Sequence, residues 1–97
     1  MRVEFISLRK ANKPYKYVVR LRVDGKDKSV RFGRVPYSDF TKHKDEDRKM
    51  RYISRHKARE NWGKTGITTA GFWSRWILWN KPTITASLED TKRRFGL

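Results

Sequence analysis

The stretch Thr69-Ala70-Gly71-Phe72-Trp73-Ser74-Arg75-Trp76-Ile77-Leu78-Trp79-Asn80 decides how the rest of the chain can fold. It holds three of the four tryptophans in a 97-residue sequence otherwise crowded with lysine and arginine. Aromatic side chains of this size each remove roughly 150–250 Å² from water, and no other segment is comparably apolar. At helical spacing Phe72, Trp76 and Trp79 share one face, widened by Trp73 and Ile77. A helix is expected here, capped by Thr68 or Thr69, ended at Asn80 ahead of Pro82, and buried on several sides. Tryptophans also serve as stacking platforms for unpaired bases. As the only large apolar mass in the chain, these are expected to be core.

What they anchor is strongly basic. Twenty-five Lys and Arg against 10 Asp and Glu give a net charge of +15. On a chain of one-domain length, that charge implies a polyanionic partner: nucleic acid first, an anionic membrane or an acidic protein less readily. The plainer alternative is a packing protein whose charge neutralises its surroundings. There is no cysteine, hence no disulfide framework and no cysteine zinc site. The longest apolar run, Trp76–Trp79, is far too short for a membrane span, and the N-terminus lacks the apolar core of a secretory signal. A protein that is not secreted and has no membrane partner is expected.

Residues 1–35 read as a β-sheet region. Val3, Phe5, Ile6 and Leu8 lean towards a strand whose alternation is imperfect, and Asn12-Lys13-Pro14 signals a turn. The next run alternates cleanly, with Tyr15, Tyr17, Val19, Leu21 and Val23 on one face and Lys16, Val18, Arg20 and Arg22 on the other. Asp24-Gly25 favours a tight hairpin. A two-residue loop sets Val19 opposite Val30, Tyr17 opposite Phe32, Arg22 opposite Asp27 and Val18 opposite Arg31; a four-residue loop keeps the same parity. One face is therefore apolar and the other carries Lys16, Arg20, Arg22 and Arg31. Those cations are either phosphate contacts or an ordinary solvated face.

Gly33 to Phe40 is expected to be a connector. Residues 45–97 read as helical, starting at Asp45-Glu46-Asp47, which supply an N-cap and carboxylates for the positive end of a helix dipole. The first helix is expected from about Glu46 to Glu60. Arg48, Arg51, Arg55 and Arg59 form one stripe, opposed by Met50, Ile53 and the stem of Lys57. Such a ridge suits phosphates and base edges, acidic partners, or simply a wet helix face. His56 and Glu60 are one turn apart, a spacing that can chelate a metal. No second ligand pair accompanies them and His43 lies outside the helix, so a structural or phosphate-contacting His56 is preferred. No catalytic set, metal site or cofactor is expected. Thr83 or Thr85 begins a last helix whose Ile84, Leu88, Thr91 and Phe95 pack inward, with Lys92, Arg93 and Arg94 at its C-terminal end.

Asp39-Phe40-Thr41-Lys42-His43-Lys44-Asp45, Arg48, Tyr52, Arg55-His56, Glu60-Asn61-Trp62, Ala70-Gly71, Ser74 to Thr83 and Arg94-Phe95 together form a long spaced pattern. Across roughly residues 30–97 it resembles a family of small basic proteins of unknown function encoded by large nucleocytoplasmic DNA viruses of algae and amoebae. The family often has proline where Glu46 stands. The resemblance implies a viral protein, found in the virion or in the infected cell's viral factory or nucleus, without an established activity.

The expectation is one α+β domain, an antiparallel sheet of about three strands followed by three helices. Its expected role is non-enzymatic binding of nucleic acid, double-stranded DNA in particular, to organise or package a viral genome. The expected contacts are Lys16, Arg20, Arg22, Arg31, Arg48, Arg51, Arg55, His56 and Arg59. The competing expectation is a minor virion or scaffold protein docking acidic protein surfaces, with other virion proteins as partners.

Overall fold

Asp24 and Gly25 take φ values of 50° and 82°, the two positive values that a type I′ turn needs, and this turn sets the sheet. In the computed structural model, which describes residues 1–97, it joins β2 (Tyr15–Val23) to β3 (Lys26–Arg34). Val23 pairs with Lys26, so the loop has two residues, and Val19 faces Val30, Tyr17 faces Phe32, and Arg22 faces Asp27 as expected. β1 (Val3–Lys10) pairs antiparallel with the other side of β2, giving the order β1-β2-β3. The ladder slips between Phe5 and Ser7. Val3 and Phe5 oppose Val23 and Leu21, and beyond the bulge Leu8 opposes Val19. That extra residue, Ile6, explains the imperfect alternation of the strand: a bulge restores Leu8 to the inner face despite its odd spacing from Phe5.

Val19, Leu21 and Phe32 are buried against Phe72, Trp73, Ile77 and Leu78. The tryptophan segment is not a uniform helix. It makes one α-turn, α3 (Ala70–Trp73), capped by the Thr69 hydroxyl, and then widens into a π-helix over Ser74–Leu78. The Trp79 N–H donates to the Ser74 carbonyl five residues back at 3.1 Å. The buried pairs Phe72/Trp73 and Ile77/Leu78 are likewise five apart, so the wide turn is what aims both pairs at the sheet. The Arg75 guanidinium donates to the Trp79 carbonyl, just past the wide turn, at 2.8 Å. Thr91 Oγ1 lies 3.2 Å from the Trp76 carbonyl, but its one proton has a nearer acceptor in the Ser87 carbonyl of its own helix, at 2.7 Å. The Trp73 indole N–H, fully buried, donates to the Ile67 carbonyl at 2.7 Å, and that of Trp76 to the Trp62 carbonyl at 2.9 Å. Trp73 is fully buried and Trp76 partly so, and with both N–H groups satisfied these indoles belong to the core and its margin.

Four α-helices follow the sheet rather than three. The additional one is α1 (Phe40–His43), inside the expected connector, where Asp39 caps the Thr41 N–H at 2.9 Å. α2 (Glu46–His56) starts on the Asp45 cap but ends four residues before Glu60, in a turn that carries Arg59 out of the helix. A 3₁₀ turn at Lys64–Gly66 leads to α3. α4 (Ile84–Phe95) is capped by Thr83, and Ile84, Leu88, Thr91 and Phe95 lie on its packed side. No helix is long and apolar enough to cross a membrane.

Candidate functional site

Of the side chains on α2, only Tyr52 is buried. Its ring lies flat on that of Trp79, with centroids 4.3 Å apart and planes 2° from parallel. His56 stands 4.3 Å from the same ring, and His43 of α1 lies 5.3 Å from Trp79. These four rings tie α1 and α2 to the end of the π-helix. Lys49 adds a second tether, donating to the Asn80 carbonyl at 2.7 Å while lying over the Phe40 ring. The apolar seam expected at Met50 and Ile53 is therefore displaced. Met50 is 59% exposed, because the aromatic surface that α2 meets is matched by the ring at position 52. Arg48, Arg55 and His56 are one turn from Tyr52, so burying that ring carries them to the same side of the helix.

That side borders a cleft of about 560 Å³ between α2, the end of β3 and the start of α3. Arg31 and Arg34 reach it from the sheet, and Arg48 and Arg55 from the helix. None of the four lies within ion-pairing distance of a carboxylate, the ion pairs being Arg2–Glu4, Lys16–Asp39, Arg22–Asp27 and Arg94–Asp90. Tyr15, Tyr37 and Trp79 line the same cleft, and Tyr37 is 71% exposed. Two carboxylates enter it. Asp39 is held by Lys16, and Glu60 rests on Gly71, where a Cβ would overlap its oxygens. Glycine at position 71 is thus what allows this carboxylate onto the first turn of α3.

The nine expected contacts divide. Lys16, Arg31, Arg48, Arg55 and His56 line the cleft, whereas Arg20, Arg22, Arg51 and Arg59 do not. Arg22 is exposed and paired with Asp27 at 2.9 Å. Lys16 is in the cleft without being a free cation. Its ammonium lies 2.6 Å from Asp39, with the two side chains only 8% and 2% exposed. A buried pair of this kind is committed to its partner, since separating it leaves an uncompensated charge. Lys16 therefore belongs to the framework that joins β2 to the α1 cap.

Both histidines at the site titrate below the ordinary value. For His56 burial is the main cause, followed by Arg59; for His43 it is burial, then Arg48. His43 Nδ1 accepts the Asp45 N–H at 3.0 Å, which places its single proton on Nε2. Burial pushes the Tyr52 phenol up to about 12. No three His, Asp or Glu side chains converge to hold a metal. The arrangement offers fixed positive charge beside aromatic faces, with two imidazoles whose surroundings favour the neutral form.

Sequence periodicity passed over Tyr52, Arg34, Tyr37 and Asp39, and it noticed Glu60 only for its spacing from His56. Asp39 had a visible signal, an aspartate two residues before Thr41 at a helix start. Tyr52 had one too, one turn from both Arg48 and His56, but only its contact with Trp79 reveals which side faces inward.

Residues 3–56, more than half of the chain, match the family described as a family of unknown function, DUF5754, and the protein belongs to it. Neither a curated protein nor a solved structure matches the chain.

Proposed function

We propose that this DUF5754 protein is a non-enzymatic nucleic-acid-binding protein, with DNA as its target, that grips phosphates in the cleft between β3 and α2. One observation carries the reading: Arg31 and Arg34 from the sheet and Arg48 and Arg55 from the helix line a single cleft with no carboxylate paired to any of them. Four converging guanidinium groups repel one another, and a phosphate chain relieves that repulsion while matching their planar donors. The role of organising or packaging a viral genome rests on the sequence resemblance across residues 30–97 and on the net charge of +15.

The test is a salt titration of DNA binding by fluorescence anisotropy. Affinity is expected to fall steeply with salt, because displaced counterions drive association. Arg48→Ala with Arg55→Ala is expected to weaken binding at least tenfold and to flatten the salt slope by about 2, roughly one unit for each phosphate no longer held. Absence of binding at low ionic strength overturns the proposal. So does a partner that is recovered equally well after nuclease digestion, which marks an acidic protein surface instead.

A further inference from the structure

Beside the arginine cleft lies a second, smaller one of about 370 Å³, and the two share Tyr15 and Lys16 as common wall. Lys10, Lys13 and Lys42 line the second cleft, and no carboxylate does. None of these three lysines takes part in an ion pair. No periodicity in the sequence grouped these three, because they come from the end of β1, the loop after it and α1, which meet only in the fold. The wall between the clefts differs in character from both. Its lysine is neutralised by Asp39 at 2.6 Å, and the tyrosine beside it is partly exposed. Along this surface, therefore, positive charge alternates with an uncharged aromatic septum and then resumes.

We infer that the two clefts form one continuous track for an unpaired nucleic-acid strand, with phosphates held by the arginines on one side of Tyr15 and by Lys10, Lys13 and Lys42 on the other. The inference rests on the nucleic-acid reading given above and names the form of nucleic acid. A duplex is a stiff rod with its bases turned inward, so it can lie across the rims of such clefts but cannot enter them. An unpaired strand bends at every phosphate and exposes its bases, which stack on tyrosine faces irrespective of sequence. Tyr15 on the septum and Tyr37 on the rim of the larger cleft offer such faces next to the cations. Lysine suits the second cleft as a point charge on a flexible stem, holding a strand that has already been oriented by the planar arginines.

Labelled oligothymidylates test the track, one of about 3 and one of about 12 nucleotides, together with a duplex of the longer length. The longer strand is expected to bind at least tenfold more tightly than the duplex. Replacing the three lysines together (Lys10→Gln, Lys13→Gln, Lys42→Gln) is expected to cost the longer strand about tenfold and to flatten its salt slope by about 2, at roughly 0.7 per neutralised phosphate on single strands. Binding of the short strand to the arginine cleft is expected to be unchanged, and that control also shows that the variant is folded. An unchanged affinity of the triple variant for the longer strand overturns the track while leaving the arginine cleft standing, as does a duplex that binds as tightly as the single strand. If neither strand nor duplex binds the wild-type protein, the nucleic-acid reading itself falls.

Discussion

Residues 70–95 and helix α2 are built on opposite plans. In the former, fully buried Phe72, Trp73 and Ile77 join the core residues of the sheet, the indole of Trp73 is hydrogen-bonded, and Arg75 occupies the Trp79 carbonyl at the end of the widened turn. Arg75 is absorbed into this packing, 4.5 Å over the Trp76 ring, with burial lowering its pKa. Helix α2, by contrast, buries a single side chain and leaves Arg48, Arg51 and Arg55 exposed without ionic partners. A domain that collects like charges on one helix gains by tying that helix to the core at few points. The electrostatic strain is then borne by an element whose displacement leaves the sheet and its packing intact.

Trp73→Ala is the severest test of this contrast. It is expected to lower the unfolding free energy by about 4 kcal/mol, seen as an early and still single urea transition. A stable, folded Trp73→Ala protein that had lost DNA binding would show instead that the indole serves the ligand. Tyr52→Ala comes next, at about 3 kcal/mol, with a different signature. Amides of α2 should exchange quickly with solvent while those of β2 and β3 keep their protection, and DNA binding should fall with the helix. Equal loss of protection in both regions would erase the distinction between the two plans.

The smallest effect expected is that of acid. His43 and His56 both have folded-state values below their unfolded ones, so the unfolded chain takes up their protons first as pH falls through about 6.5. Stability is complete above that pH and declines as pH falls from there towards the folded-state values. A thermal melt should shift down by a few degrees between neutral pH and pH 5.5. Replacing both histidines by asparagine should remove most of the shift. A melt indifferent to pH over this range would mean that the ring stack around Tyr52 does not depend on neutral imidazoles.

Different parts of this fold were visible in the sequence for different reasons. The hairpin was legible in its turn and in which residues share a face, since alternation and Asp24-Gly25 are both local properties; the length of its loop was settled by the Val23–Lys26 pair of the folded chain. α4 was equally open, its cap and inward seam being periodic. The π-helix was not, because residues 70–79 satisfy a 3.6-residue repeat in sequence and the widening is imposed by where Phe72/Trp73 and Ile77/Leu78 must meet the sheet. The inward face of α2 was hidden for a related reason: Met50 is the more apolar residue, yet Tyr52 has Trp79 waiting 27 positions along the chain. At the candidate site, composition and spacing placed charge on the hairpin and on α2. The hairpin pairing already set Arg22 opposite Asp27, but only the folded chain brings Arg31 to the cleft and shows that Lys16 already has its anion.

The bulge at Ile6 also bears on how the molecule behaves in a crowd. A three-stranded sheet has two borders, and a flat border is a template on which another chain can add a strand. On β1 the slipped ladder between Phe5 and Ser7 interrupts that template. On β3 the border begins with exposed Lys26, Asp27 and Lys28, which resist a like-charged neighbour. Concentrating such a basic protein on a polyanion would bring sheets into close proximity, and guarded borders keep proximity from turning into fibrils.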